Sequence, residues 1–242
     1  MTRVVRGAYC LKAMTHVALA DELLLLGYDD ETGRTTTSRI ALDLGMVAAI
    51  MVELALRGRL AIADNAVVVR DPTPTGDPVA DDVLTRIAGD TPHSAASWMQ
   101  RLRHNLRDRI LASLIERGVI REQDENALEV ITLHRYPTVD PAPERDTRDR
   151  LAAALVGDTM PDERTAALAA LVAAVRMEPT LGLSGAELET AHRKLEEIAL
   201  GAGFGPGTLL EQSTVRPSVA FVIAELCKAM DAACGVRPSA ST

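Results

Sequence analysis

Aromatic side chains are nearly missing from this 242-residue chain, which has only Tyr9, Tyr28, Trp98, Tyr136, Phe204 and Phe221, 2 % of the whole. A β-sandwich core draws heavily on aromatic and β-branched residues, so a core of Leu, Val, Ile, Ala and Met favours helices instead. Cysteine is scarce as well. Cys10, Cys227 and Cys234 are odd in number, and the two-turn gap between the last pair suits neither a disulfide nor a zinc knuckle. Buried thiols in a reducing compartment are the expectation. Long apolar runs are also lacking. Arg3, Arg6 and Lys12 introduce no apolar stretch, and Leu23–Leu26 is far too short for a signal or a membrane span. The expected location is therefore the cytoplasm, peripheral to the inner face of the cell membrane if the protein meets lipid.

Catalytic signatures are equally thin. The five histidines (16, 93, 104, 134 and 192) are scattered without an HExxH spacing, and no serine stands in a G-x-S-x-G elbow. Gly201, Gly203, Gly205 and Gly207 superficially suggest a phosphate loop, but a helical pattern precedes them and Pro206 interrupts, where a dinucleotide fingerprint needs a strand first. Asp29–Asp30 and Asp81–Asp82 fall on predicted surfaces and read as solvated acids. No enzyme, no cofactor and no metal site is expected.

What the chain does have is 47 % hydrophobic residues, enough for a sizeable core, with 25 % charged residues and a net charge of −8. Arginine outnumbers lysine 23 to 3, the coding bias expected of a GC-rich, bacterial genome. The periodicity predicts a helix near Thr15–Gly27 and a second over Ser38–Arg57 that is apolar almost all round, as a central helix must be. Leu60–Ile62 and Val67–Val69 read as a hairpin, and Asp71–Pro78 as a rigid loop capping a helix that begins at Pro78. One long helix is predicted over Ser94–Arg117. A second hairpin follows, with strands Val119–Arg121 and Leu128–Leu133 around a turn at Glu122–Asn126. Further helices are expected near Glu144–Val156, Asp162–Met177, Ser184–Leu200 and Pro217–Ala233. Twice a helix ends in Leu-x-x-Arg-Gly, at Leu54–Gly58 and Leu114–Gly118, and runs on into a hairpin. The fold class is mainly α: a single compact helical domain over 15–235 with two peripheral β-hairpins, a flexible basic arm at 1–14 and a frayed tail at 236–242. The apolar set of the second hairpin exceeds what a two-stranded ribbon buries alone, so residues 119–133 are expected to pack on their own domain or on a second copy, giving a homo-oligomer.

The most informative charge feature is the stretch 101–121, six arginines against Asp108 and Glu116, a local +4 on an acidic chain. On a continuous helix Arg103 and Arg107 share a face, with His104 three residues before Arg107. Such a cluster can hold a phosphate through charge-assisted hydrogen bonds. The alternative is an arginine face that pairs with acids elsewhere.

Several blocks resemble the Golgi phosphoprotein 3 family: ELALRGRL at Glu53–Leu60, PTGD at Pro74–Asp77, NLRDRILASLIERGVI at Asn105–Ile120, the acid pair and leucine run of ADELLLLGYDDETG, and the hairpin end near His134–Pro137. Their order and spacing agree from about Val17 to Pro137. The resemblance implies a compact, mainly helical fold with peripheral hairpins. It also implies a non-enzymatic peripheral membrane adaptor, since the eukaryotic members bind phosphatidylinositol 4-phosphate and hold the short cytosolic tails of Golgi glycosyltransferases; a bacterial member would have no Golgi to serve. The family's lipid pocket uses a tryptophan before the central helix, where this chain has Ser38, and an arginine within it, where this chain has Val47. Two further arginines fall on His104 and Arg107, with Arg103 adjacent. The expected function is weak binding of an anionic, phosphoinositide-type lipid headgroup by Arg103, His104 and Arg107, with protein partners unnamed. The rivals are a winged-helix-like nucleic-acid-binding regulator, against which the pI of about 5.2 and the few aromatics argue, and a protein-binding scaffold without lipid affinity. No nucleic acid is expected as a partner.

Overall fold

The computed structural model describes residues 17–127, 131–157, 161–199 and 216–234. The expected arm, Cys10, the glycine-rich turn at 201–207 and the tail lie outside the described residues. The chain is mainly α. In order come α1 (Leu19–Leu26), α2 (Arg39–Leu56), β1 (Leu60–Ala63), β2 (Ala66–Val69), α3 (Pro78–Ala88), α4 (Ala95–Leu102), α5 (Leu106–Glu116), β3 (Gln123–Ala127), β4 (Ile131–Arg135), α6 (Ala142–Leu155), α7 (Glu163–Ala174), a 3-10 turn (Glu178–Leu181), α8 (Gly185–Ala199) and α9 (Pro217–Cys234). The strands form two separate antiparallel hairpins, β1–β2 and β3–β4.

Helix α2 is the axle of the fold. It packs against α1, α3, α4, α5, α7, α9 and β1, as a helix apolar all round requires. Leu44, Val47, Met51 and Leu54 are at most 1 % exposed. Gly45 marks the closest approach, because a Cβ there would meet Val175 Cγ1 at 2.6 Å and Leu23 Cδ2 at 2.9 Å. Helix α7, buried from Thr165 through Ala174, supplies a second layer.

Local chemistry sets the ends. Asp77 caps α3, its carboxylate accepting from the N–H groups of Val79 and Ala80, with Pro78 at the first helical position. Asp64 and Asn65, both at positive φ, make the two-residue turn between β1 and β2. The repeated Leu-x-x-Arg-Gly motif is a pair of matching helix ends. Gly58 (φ 71°) and Gly118 (φ 72°) take the left-handed conformation. The next N–H reaches back to the leucine carbonyl, from Arg59 to Leu54 at 2.7 Å and from Val119 to Leu114 at 3.0 Å.

Two expectations need correction. The helix predicted over 94–117 is two helices, interrupted at Arg103–Asn105. The apolar series Trp98, Met99, Leu102, Leu106, Ile110, Leu111 and Leu114 keeps helical phase across the break, which hides it, but Asn105 adopts a left-handed conformation (φ 61°) and turns the chain. The second hairpin is displaced as well. Residues 123–126, read as most of the turn Glu122–Asn126, belong with Ala127 to β3, paired Gln123 to Arg135 through Ala127 to Ile131. Val119–Arg121 instead lies along Pro137–Val139: Val139 donates to the Val119 carbonyl, Arg121 donates to that of Pro137, and Val119 and Ile120 are buried in the chain's own core.

Polar groups also enter the interior. Glu53 is 5 % exposed on α2 and Glu22 4 % exposed on α1. Arg164 of α7 reaches both, at 2.6 Å from Glu53 and 3.5 Å from Glu22, and Arg150 of α6 is 2.6 Å from Glu22. Buried charges of this kind persist only when paired.

A candidate anion cleft between α2 and α5

The interruption between α4 and α5 builds the site. Where a continuous helix would lay Arg103, His104 and Arg107 along one surface, the left-handed Asn105 folds Arg103 and His104 back around the first turn of α5. A cleft of about 210 Å³ opens there, lined by Asp43, Arg103, His104, Asn105, Arg107 and Asp108. The start of α5 faces it. Asn105 makes no side-chain capping bond, and Asp108 in the first turn is the acid nearest the positive end of the helix.

Arg107 is the deepest cation, its side chain 12 % exposed and its Nη1 3.0 Å from Asp43 Oδ1. The contact is coulombic and not aligned as a hydrogen bond: Arg107 Nη1, Asp43 Oδ1 and Arg103 Nε are all buried without a hydrogen-bond partner among the described residues. Burial pushes the Asp43 carboxyl above its ordinary range, against the opposing pull of Arg107, Arg39 and Arg103. Tyr28 stands within electrostatic range of Arg107, Arg39 and Asp43; burial raises its phenol as well, and its ring meets Tyr136 edge-on at 5.8 Å.

Five of the six arginines of 101–121 thus divide by role. Arg101 pairs with Asp90, Arg109 with Asp82 and Arg117 with Asp21, each within 2.7 Å, which is the structural reading of a basic face. Arg103 and Arg107 turn to the cleft. Asp43, Arg39 and Tyr28 are site residues that sequence reasoning missed. Asp43 and Arg39 stand four apart on α2, a signal that was present but overshadowed by the apolar periodicity around it. Ser38, the N-terminal cap residue of α2, is exposed and makes no side-chain capping bond. Val47 is buried at 0 % in the core, away from the cleft. Ile40, in the first turn of α2 and one helical turn from Asp43, is 58 % exposed.

On the outer hairpin the register brings together three exposed groups: His134 Nδ1 is 2.9 Å from Asp124 Oδ1 and 3.1 Å from Glu122 Oε1. This is a surface ion-pair cluster whenever the imidazole is protonated. Among the described residues no helix is long and apolar enough to cross a membrane.

Comparison with known proteins places the chain. Over 164 aligned residues it is 25 % identical to the vacuolar protein sorting-associated protein 74 of Eremothecium gossypii, covering 58 % of this chain and 49 % of that protein, so the chain spans about half the length of this relative. The family model described as Golgi phosphoprotein 3 (GPP34) matches residues 19–225. That match runs from the first residue of α1 into α9, through every element that builds the cleft, and the chain belongs to the Golgi phosphoprotein 3 family.

Proposed function

We propose that this protein is a non-enzymatic, peripheral membrane adaptor that docks on anionic lipid through the cleft between α2 and α5. The observation that carries the reading is the convergence of Arg103 and Arg107, with buried nitrogens lacking an aligned acceptor, on the open start of α5. A phosphate offers several acceptor oxygens and suits a pair of guanidinium groups beside a helix N-terminus. His104 adds a further cation when protonated.

Exposed Ile40 beside the cleft offers an apolar contact to a bilayer, next to Ser38 where the family resemblance implies a tryptophan. Because Val47 is buried and Ser38 is small, the headgroup is held by charge more than by shape, and little preference for phosphatidylinositol 4-phosphate over other anionic lipids is expected. The test is co-sedimentation at low salt with phosphatidylcholine vesicles, alone or carrying phosphatidylglycerol or phosphatidylinositol 4-phosphate. Binding to both anionic vesicles and not to the neutral ones is expected, with loss in Arg107→Gln. Equal binding by that variant, or none by the wild type, overturns the reading.

A further inference from the structure

Asp43 is an acid near the start of a helix that is mostly core, and it stands inside a cleft that gathers cations. Arg39 faces it from its own helix, Arg103 from the turn after α4, and Arg107 and Asp108 from α5. His104 lines the same cleft, and Tyr28 is within electrostatic range of Asp43. A carboxylate paired with arginine in the best arrangement meets the fork of the guanidinium in line, with two parallel hydrogen bonds. Asp43 does not. Its Oδ1 lies 3.0 Å from Arg107 Nη1, yet both atoms are buried and unbonded. The pair therefore has the coulombic part of an ion pair without the directional part, and Arg107 keeps hydrogen-bonding capacity that a better-placed oxygen can take.

We infer that Asp43 sets the affinity of this cleft for phosphate monoesters by standing against Arg107 where a phosphate oxygen binds, so that a ligand enters only by displacing or neutralising it. The inference rests on the reading of the cleft as an anion site and adds to it a built-in competitor. Two consequences follow from the charges. A phosphate entering beside ionised Asp43 meets a like charge at close range, which weakens it considerably. Protonation of Asp43 removes that charge and leaves Arg39, Arg103 and Arg107 facing only Asp108, so an anion whose own charge is unchanged binds more tightly on acidification; burial, which raises the Asp43 carboxyl, brings this change closer to neutrality.

The decisive experiment is calorimetric titration of the full chain with inorganic phosphate, in wild type, Asp43→Asn and Asp43→Ala, with thermal melts to show that each variant folds. The proposal expects both variants to bind phosphate roughly tenfold or more tightly than wild type at neutral pH, in keeping with relief of like-charge repulsion. The gain should vanish when Arg107→Gln is added. Wild type that binds, with variants that bind equally or more weakly, overturns the proposal and shows that Asp43 orders Arg107 for the ligand; the anion site itself then stands. If none of the three binds phosphate or phosphatidylcholine vesicles carrying phosphatidic acid, the anion site falls and the proposal with it. The vesicle arm names the source: a gain with vesicles as well as inorganic phosphate supports the proposal with a lipid monoester as ligand, and a gain with inorganic phosphate alone supports it with a free phosphate compound.

Discussion

Glu144 is 2 % exposed, and among the described residues only one of its two oxygens meets a donor, Oε1 with Arg148; Oε2 is buried without one. The second oxygen is explained if it carries a proton and donates to Asp30, whose own carboxylate already accepts from the Thr138 hydroxyl at 2.6 Å. Burial and that bond to Asp30 push the Glu144 carboxyl up from 4.5 to about 7, with Arg148 pulling the other way. Since the folded state binds this proton more tightly than the unfolded chain does, the contribution is fully present below pH 4.5 and is lost as pH rises through about 7. The swing is on the order of 3 kcal/mol. Thermal melts of the wild type should therefore show stability falling between pH 5 and pH 8, in the window set by this group. Glu144→Gln, whose amide can still donate to Asp30, should flatten that slope and be the more stable protein at the alkaline end. A slope unchanged by the substitution would sink the shared proton.

Helix α2 carries the largest part of the core, and two substitutions test its packing. Leu54→Ala leaves a cavity at a site with no exposure and should cost roughly 2–5 kcal/mol in chemical denaturation. Gly45→Ala gains up to about 1 kcal/mol of helix propensity, but its methyl would press within 2.6 Å of Val175, and overpacking costs roughly 1–3 kcal/mol. A net loss is expected, and a stabilised Gly45→Ala would mean that α7 and α2 are not in contact there. These elements were legible because their signals are local: an apolar helix of the right length, Asp77 before Pro78, Asp64–Asn65 between two short apolar runs. The break after Leu102 was not, because the apolar phase continues through it and only one asparagine marks the turn. The strand Gln123–Ala127 was hidden by its polarity, since a peripheral ribbon needs no apolar face to pair. The arginines that reach Glu22 and Glu53 from α6 and α7, Arg150 and Arg164, lie more than a hundred residues away, and no window of sequence shows that. The cleft was half visible: the arginines stood out by charge, while their distribution between cleft and surface depended on the unseen turn.

At the scale of the whole molecule, a chain of net charge −8 must approach an anionic surface by one basic face. The attraction of that face is local, and the repulsion from the rest is screened with it. Exposed charges are screened within roughly 10 Å at 0.1 M salt, so vesicle binding should weaken steeply as salt rises. It should strengthen as pH falls, because protonation of Asp43, whose carboxyl burial raises, frees Arg107. Contact with a bilayer differs from capture of a soluble phosphate in one respect, the apolar step. Ile40 stands exposed in the first turn of α2, three residues before Asp43, on the side of the helix that borders the cleft. Burying an isoleucine side chain is worth roughly 1.5–3 kcal/mol, so Ile40→Ser should reduce anionic-vesicle binding about tenfold or more while leaving the affinity for inorganic phosphate unchanged. Arg107→Gln should reduce both. Parallel loss in both assays for Ile40→Ser would place that residue in the headgroup site itself. Vesicle binding that survives Ile40→Ser undiminished would assign the membrane contact to charge alone, with the bilayer met at the surface and not entered.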